Sequence, residues 1–251
     1  MNMTRSIPRI SGAVEGLVDE AVLTRLIRHV GAVPGSIHGK HGKQYLQKNL
    51  YGYVQAAAVV PWVVLVDLDQ EFDCPPPLVW VWLPEAPPGM CFRVAVREVE
   101  AWLLADRERL AQFLGIEPRW IPRDVEGILH PKEAVVALAR RSRRHAIRRD
   151  MTPPPGSGRT VGPAYTSRLI EFALHSRRGW RPQVAAAACE SLRRCLGCLR
   201  RLQSGAAPAA ETSRDAPAPD GSRRAGESMA RANADSPQRL KPAKSRPPTP
   251  S

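Results

Sequence analysis

The sequence has little of what marks membrane, secreted or zinc-binding proteins. It contains no apolar run of roughly 18 residues or more, so neither a membrane span nor a membrane partner is expected. Its first eight residues lack the apolar core of a secretory signal peptide, and we therefore expect a cytoplasmic protein. Its five cysteines are then expected to be reduced thiols. Cys195 and Cys198 have no second cysteine pair to complete a zinc site. We therefore expect them, with Cys189, to lie on an apolar helix and to pack in the protein core.

Negative charge is also scarce. The 251 residues include 24 Asp and Glu against 37 Lys and Arg, which gives a formal net charge of +13. A basic excess of this size favours a polyanionic partner, with nucleic acid ahead of an anionic membrane surface. An arginine-rich proteome would produce the same excess without any such partner.

The pattern of apolar residues predicts an α/β fold of sheet strands flanked by helices, followed by a helical C-terminal part. Residues 1–8 are expected to be a flexible lead-in, and residues 204–251, rich in Ala, Pro and Arg, to be disordered. The folded domain would therefore cover residues 9–203. The predicted strands are 9–14, 62–66, 79–83 and 92–96, with a short strand possible within the loop 34–43. The predicted helices are 19–30, 44–58, 97–105, 108–114, 131–144, 165–175 and 183–202.

Acidic residues follow two of the predicted strands. Glu15 comes directly after the first strand, with Asp19 about one helical turn later, and Asp67 and Asp69 follow the apolar run 62–66. Open parallel sheets bind ligands at the carboxyl ends of their strands. Carboxylates that converge there would repel one another unless a cation such as Mg²⁺ or Mn²⁺ neutralised them. The pattern therefore predicts a divalent-metal site, although each cluster taken alone also fits loop caps or solvated strand ends.

Further charged residues lie where this edge of the sheet is expected. Glu98 and Glu100 stand at the next strand-to-helix corner, where acidic residues also suit the first turn of a helix. Lys132 at the start of a helix opposes the helix dipole and indicates an anionic partner such as phosphate, or else a solvated lysine. The loop that carries Lys40 and Lys43 is Gly-rich and able to cradle phosphate, but it lacks the P-loop spacing.

Two other groups of residues are open to more than one interpretation. A dense basic run is suited to the backbone of a nucleic acid, but it fits a solvated helix face equally well; its candidate contact residues are Arg140, Arg141, Arg143 and Arg144. His38 and His41 are potential metal ligands, but loop histidines are more often exposed to solvent.

The order of these motifs resembles the Toprim metal-binding domain, and most closely the Toprim-like domain of unknown function 4276. The resemblance covers roughly residues 9–203 and rests on eight segments: Val14-Glu15-Gly16, the loop 38–43, Val66-Asp67-Leu68-Asp69, Cys74, the stretch 97–106, Pro131-Lys132-Glu133, Gly162-Pro163-Ala164-Tyr165 and Ser191-Leu192. It implies a Rossmann-like sheet with Glu15 as the acid/base or metal-linked carboxylate and Asp67 and Asp69 as Mg²⁺ ligands. In nuclease-type relatives such as the overcoming-lysogenization-defect nucleases, an acidic residue at the place of Asp19 joins the metal site. Family members that resemble this chain are associated with anti-phage defence, which implies such a role here.

The sequence therefore predicts a metal-dependent phosphodiesterase, nuclease-like, that acts on DNA or RNA. Its expected metal ligands are Glu15, Asp19, Asp67 and Asp69, completed by Glu98 or Glu100, with Lys132 or Lys40 stabilising phosphate charge. The alternative is a non-catalytic Toprim-like module that binds or regulates beside a partner ATPase, because the chain has no ATPase motif of its own. Phosphoryl transfer to a small nucleotide is a third reading.

Overall fold

Four parallel strands form the centre of the fold in a computed structural model that describes residues 7–205. The strands are β1 (Arg9–Val14), β2 (Val33–Gly39), β3 (Trp62–Asp67) and β4 (Met90–Ala95), in the spatial order β2-β1-β3-β4. The expectations for residues 1–6 and 206–251 fall outside the described residues. The α/β prediction, with a parallel sheet flanked by helices and a helical C-terminal part, is confirmed.

The register of the strands brings their carboxyl ends to one edge of the sheet. Val14 pairs with Gly39 between β1 and β2, and Asp67 pairs with Ala95 between β3 and β4. In β3 the residues from Trp62 to Val66 are all buried, as expected of a strand covered on both faces. The segments that follow the four strands therefore lie next to one another at this edge.

Helices cover both faces of the sheet. The core on one face includes side chains from α1 (Leu17–His29), α5 (Val99–Ala105), α9 (Tyr165–Leu174) and α11 (Glu190–Ser204). The core on the other face includes side chains from α2 (Lys43–Lys48), α3 (Leu50–Ala57) and α4 (Pro75–Trp82). The remaining helices are α6 (Arg107–Leu114), α7 (Pro131–Arg140), α8 (His145–Met151), α10 (Pro182–Ala185) and a 3₁₀ turn at Pro118–Trp120. No helix within residues 7–205 combines the length and hydrophobicity needed to cross a membrane.

The approach of β2 to β1 requires a glycine at the end of β2. Gly39 has φ +89°, and a Cβ atom added there would lie 2.1 Å from the carbonyl oxygen of Val14. Only glycine adopts this backbone conformation without steric cost and leaves room for that oxygen. The loop that carries Lys40 and Lys43 consequently starts directly beside the end of β1.

Several predicted elements have different bounds, and one has the wrong type. The predicted strand 79–83 is part of helix α4, because the three prolines that precede it occupy the first helical turn, where missing N–H groups cost little. The predicted helix 131–144 ends at Arg140, and α8 begins after a turn. The predicted helices 44–58 and 183–202 are each divided in two, at Asn49 and at residues 186–189.

The prediction of uniformly reduced cysteines is wrong for two residues. Cys91 on β4 and Cys198 on α11 form a disulfide, with their Cα atoms 6.1 Å apart, because α11 packs directly on β4. Cys189 and Cys195 are free and buried, in agreement with core packing, whereas Cys74 is free and exposed.

Candidate functional site

Three of the predicted site carboxylates come from neighbouring elements at the carboxyl edge of the sheet. Glu15 follows β1, Asp67 ends β3, and Asp19 lies in the first turn of α1, where its negative charge suits the helix dipole. The carboxylate Oε1 of Glu15 accepts a hydrogen bond from the backbone N–H of Asp67 over 2.8 Å. Asp67 in turn accepts through Oδ1 from the backbone N–H of Val99, over 3.0 Å. These bonds link the ends of β1, β3 and the start of α5.

Burial makes these three carboxyl groups harder to ionise, and neighbouring carboxylates add to the effect. Burial raises the pKa of Glu15 to about 7, and the charges of Asp69 and Asp19 add to the increase. Burial also raises the pKa of Asp67 well above its ordinary value, with repulsion from Asp19, Glu100 and Glu15 contributing. The pKa of Asp19 is raised by burial as well. Ionising all of them together is therefore costly without a compensating positive charge.

Asp19 has an unsatisfied oxygen at this place. Its side chain is 6% exposed, and its Oδ1 is buried with no hydrogen-bond partner within residues 7–205. A buried acceptor without a partner is unfavourable and calls for an explanation such as an ion or a water. Carboxylate oxygens are the ligands that Mg²⁺ and Mn²⁺ prefer, so the chemistry of Glu15, Asp19 and Asp67 fits such a cation. As the side chains are oriented, however, no group of three or more His, Cys, Asp or Glu among the described residues is arranged to hold a metal ion.

Asp69 is at the same edge but is engaged by basic groups. Lys43 Nζ lies 2.9 Å from Asp69 Oδ2 and 3.3 Å from Glu71 Oε2. Arg97 donates from Nη1 to the carbonyl oxygen of Asp69 over 3.0 Å, and the N–H of Asp69 donates to the carbonyl of Arg97 over 2.8 Å. Burial alone would lower the pKa of Lys43, but the nearby carboxylates, Asp69 first, raise it. A metal-binding role for Asp69 would therefore require its ion pair with Lys43 to open.

Backbone strain is concentrated at this edge. Among residues 7–205, the non-glycine residues with positive φ are Lys40 at 71°, Asp69 at 53° and Arg97 at 64°. They follow β2, β3 and β4 respectively, so each lies just beyond a strand end. Strained conformations of this kind persist where the surrounding structure holds them in place, and they cluster at binding and catalytic sites.

Lys132, in the first turn of α7, pairs with Glu98 and Glu100, the two predicted site residues at the start of α5. Its backbone N–H donates to Glu98 Oε2 over 2.8 Å, and its Nζ lies 3.1 Å from Glu98 Oε1 and 4.0 Å from Glu100 Oε1. Glu100 is 2% exposed and accepts a hydrogen bond from the hydroxyl of Tyr165 over 3.3 Å. Burial raises the pKa of Glu100 to about 7, although the charge of Lys132 acts in the opposite direction. Burial alone would lower the pKa of Lys132, but the charges of Glu100 and Glu98 raise it overall.

Other predicted residues lie apart from the carboxylates. Lys40 Nζ contacts Glu20 Oε1 at 3.1 Å and the carbonyl of Ile37 at 3.2 Å, rather than any of Glu15, Asp19 and Asp67. The ring of His38 stacks on Trp62, and that of His41 meets Tyr45 edge-on. The two histidines are exposed, as the commoner behaviour of loop histidines suggests.

Most of the arginines that are predicted to contact nucleic acid also make contacts within the protein. The guanidinium of Arg141 lies 4.6 Å from the ring centre of Trp120, and Arg143 lies 3.6 Å from Glu117. Arg144 donates from Nη1 to the carbonyl of Phe113 over 3.1 Å, whereas Arg140 is exposed at the end of α7. The run therefore joins α7 and α8 to their neighbours as well as offering positive charge to solvent.

Three residues of this edge escaped sequence reasoning as site residues: Arg97, Glu71 and Tyr165. Arg97 and Glu71 stand next to predicted ligands in the sequence, so their proximity was available as a signal. Tyr165 is separated from Glu100 by 65 residues, and no local pattern announces that pairing.

Comparisons with known proteins add no further indication. No protein-family model matches the sequence, and neither the curated proteins nor the solved structures contain a match.

Proposed function

We propose that this protein is a phosphodiesterase that depends on Mg²⁺ or Mn²⁺ and acts on nucleic acid, in keeping with its resemblance to the Toprim-like domain of unknown function 4276. The observation that carries the proposal is the buried Asp19 Oδ1, which has no hydrogen-bond partner within residues 7–205 and lies beside two other carboxyl groups of raised pKa. A bound divalent cation would both coordinate this oxygen and offset the repulsion between the carboxylates.

The residues of the site would divide the work between them. Asp19 and Asp67 would hold the cation, with Asp69 joining if its pair with Lys43 opens, and Glu98 or Glu100 completing the ligand set. When bound, the cation supplies Lewis-acid polarisation of the phosphate and makes water a better nucleophile. Glu15, with its pKa raised to about 7, is suited to accept or donate a proton near neutral pH.

Positive side chains support a phosphodiester substrate at this edge. Lys43 contacts Asp69 and Lys132 contacts Glu98, and either lysine would face an anionic group that displaced its partner. The net charge of +13 favours attraction of a polyanion, and the exposed Arg140 adds to it. A cytoplasmic location and a role in anti-phage defence belong to the same proposal, although a disulfide such as Cys91–Cys198 is uncommon in that compartment.

The proposal is tested by incubating the purified protein with single- and double-stranded DNA and RNA in Mg²⁺, Mn²⁺ or EDTA. Cleavage with either metal that stops in EDTA supports it, provided that a double variant, Asp67→Ala with Asp69→Ala, is inactive. Equal cleavage by that variant would rule out this mechanism.

A non-catalytic module that works with a partner ATPase is the second candidate. The ion pairs Lys43–Asp69 and Lys132–Glu98 favour this function, because they neutralise part of the acidic edge without a metal ion. This function predicts co-purification of an ATPase and no metal-dependent cleavage by the isolated protein.

A further inference from the structure

A second candidate site lies in the helical part of the protein. A cleft of about 510 Å³ opens between α6, the start of α8, α9 and the turn that follows α9. Its volume is within the range of roughly 300–1,000 Å³ that is usual for small-molecule sites. None of its lining residues belongs to the carboxylate cluster described above.

Three arginines of this cleft contact no carboxylate within residues 7–205. Arg109 donates to the amide oxygen of Gln112 over 3.4 Å, and Arg144 donates to the carbonyl of Phe113, so both have neutral partners. Arg178 is exposed, and none of the three arginines forms an ion pair within the described part of the chain. Unpaired guanidinium groups that line one concave surface make it strongly attractive to an anion.

Two further charged residues that line the cleft, Arg168 and Glu171, form an ion pair with each other. Arg168 contacts Asp150 Oδ2 at 2.7 Å and Glu171 Oε2 at 2.8 Å. These contacts hold Arg168 in place and engage one carboxylate oxygen of Glu171. The positive character of the cleft is therefore set by Arg109, Arg144 and Arg178.

Aromatic and imidazole rings complete the surface. Phe113 is partly exposed in the cleft, and its ring centre lies 5.1 Å from that of the buried Phe172. His175 also lines the cleft, and its Nδ1 accepts the backbone N–H of Arg178 over 3.1 Å. This hydrogen bond leaves Nε2 as the protonated nitrogen of the neutral ring, and thus as a donor.

We propose that this cleft binds a nucleotide, with its phosphate on Arg109, Arg144 and Arg178 and its base against Phe113. Guanidinium groups match phosphate oxygens through paired N–H donors, and aromatic side chains stack on bases. The nucleotide is either a free molecule or one unit of a nucleic-acid strand, since both present the same chemistry. This site is independent of the proposed phosphodiesterase function, because it shares no residue with the carboxylates.

The test is isothermal titration calorimetry on the full chain in EDTA, which prevents cleavage. The probes are AMP, inorganic phosphate and a ten-residue oligothymidylate. AMP or the oligonucleotide is expected to bind, and Arg178→Glu to weaken that binding at least about tenfold. Arg177→Glu is the matched control, because Arg177 is the exposed neighbour of Arg178 but does not line the cleft.

Phe113→Leu tests the contact with the base separately from the contacts with the phosphate. This variant keeps an apolar side chain against Phe172, and it is expected to weaken AMP binding while leaving that of inorganic phosphate unchanged. Binding of AMP alone identifies a free nucleotide, and binding of the oligonucleotide alone identifies a strand. The proposal is overturned if neither binds, if Arg177→Glu and Arg178→Glu weaken binding equally, or if Phe113→Leu has no effect on the probe that binds.

Discussion

Glu15 accepts a hydrogen bond from the backbone N–H of Asp67 over 2.8 Å, although 52 residues separate them in the chain. The bond fixes the end of β1 to the end of β3, and it places two carboxyl groups together before any ligand arrives. Because burial raises the pKa of each group and nearby carboxylates, Asp19 among them, raise it further, the arrangement has a cost that a bound cation would offset.

Asp19→Asn should stabilise the metal-free protein and abolish its response to Mg²⁺. At pH 8 the substitution removes one of several repelling charges, so we expect the free energy of unfolding in EDTA to rise by about 1 kcal/mol. Thermal and chemical unfolding of both proteins, with and without MgCl₂, measure the two effects. Glu20→Gln is the control, because Glu20 pairs with Lys40 outside the cluster, and it should keep the response to Mg²⁺. A variant Asp19→Asn that Mg²⁺ stabilises as much as the wild type would exclude Asp19 as a ligand.

Stability should fall as the pH rises from about 4.5 to about 7, in part because of Glu100. The pKa of Glu100 rises from 4.5 in the unfolded chain to about 7 in the folded protein. Its contribution is therefore fully present below pH 4.5, where both states are protonated, and it is lost as the pH passes through the folded value.

Glu100→Gln removes this titration and keeps the oxygen that accepts from Tyr165. The difference in unfolding free energy between the variant and the wild type should grow by about 3 kcal/mol between pH 4.5 and 8. Urea unfolding at several pH values measures it. Parallel curves for the two proteins would contradict a buried, ionisable Glu100.

Lys132→Met should destabilise the protein in a pH-dependent way. The methionine leaves the charge of Glu100 without its nearby cation, and we expect a loss of about 1–2 kcal/mol at pH 8. The loss should shrink at pH 5, where Glu100 is protonated. Lys40→Met is the matched control, since it removes an ion pair with Glu20 and a hydrogen bond to the carbonyl of Ile37, neither of which involves Glu100, and it should show no such pH dependence. Equal behaviour of the two variants at both pH values would deny Lys132 this role.

Gly39→Ala should be among the most damaging small substitutions in the sheet. The new Cβ would meet the carbonyl of Val14 at 2.1 Å on a backbone with φ +89°, and we expect a loss of about 3 kcal/mol or more. Gly52→Ala is the control, because Gly52 lies in α3 with no atom near its added Cβ. That control should gain about 0.5–1 kcal/mol from helix propensity. Circular dichroism during urea unfolding compares the two, and a tolerated Gly39→Ala would contradict the close packing of β2 on β1.

Local patterns in the sequence predict the sheet and its acidic edge, but not the partners of each residue. The apolar run 62–66 and the acidic residues after it are sufficient to place Asp67 at a buried strand end. The type of α4 was mispredicted because its β-branched and aromatic residues favour a strand, whereas the prolines at its first turn decide for a helix. The contact of Lys132 with Glu98 spans 34 residues, so only the packing of α7 beside α5 reveals it.

Direct titration of Mn²⁺ onto the protein, followed by electron paramagnetic resonance of the free ion, tests the central claim most closely. The comparison uses the wild type, Asp67→Asn and Glu20→Gln at pH 8. A cation held by Asp19 and Asp67 predicts at least one bound ion for the wild type and for Glu20→Gln, with affinity at least about tenfold weaker for Asp67→Asn. Equal binding by all three proteins, or no binding by the wild type, would contradict it.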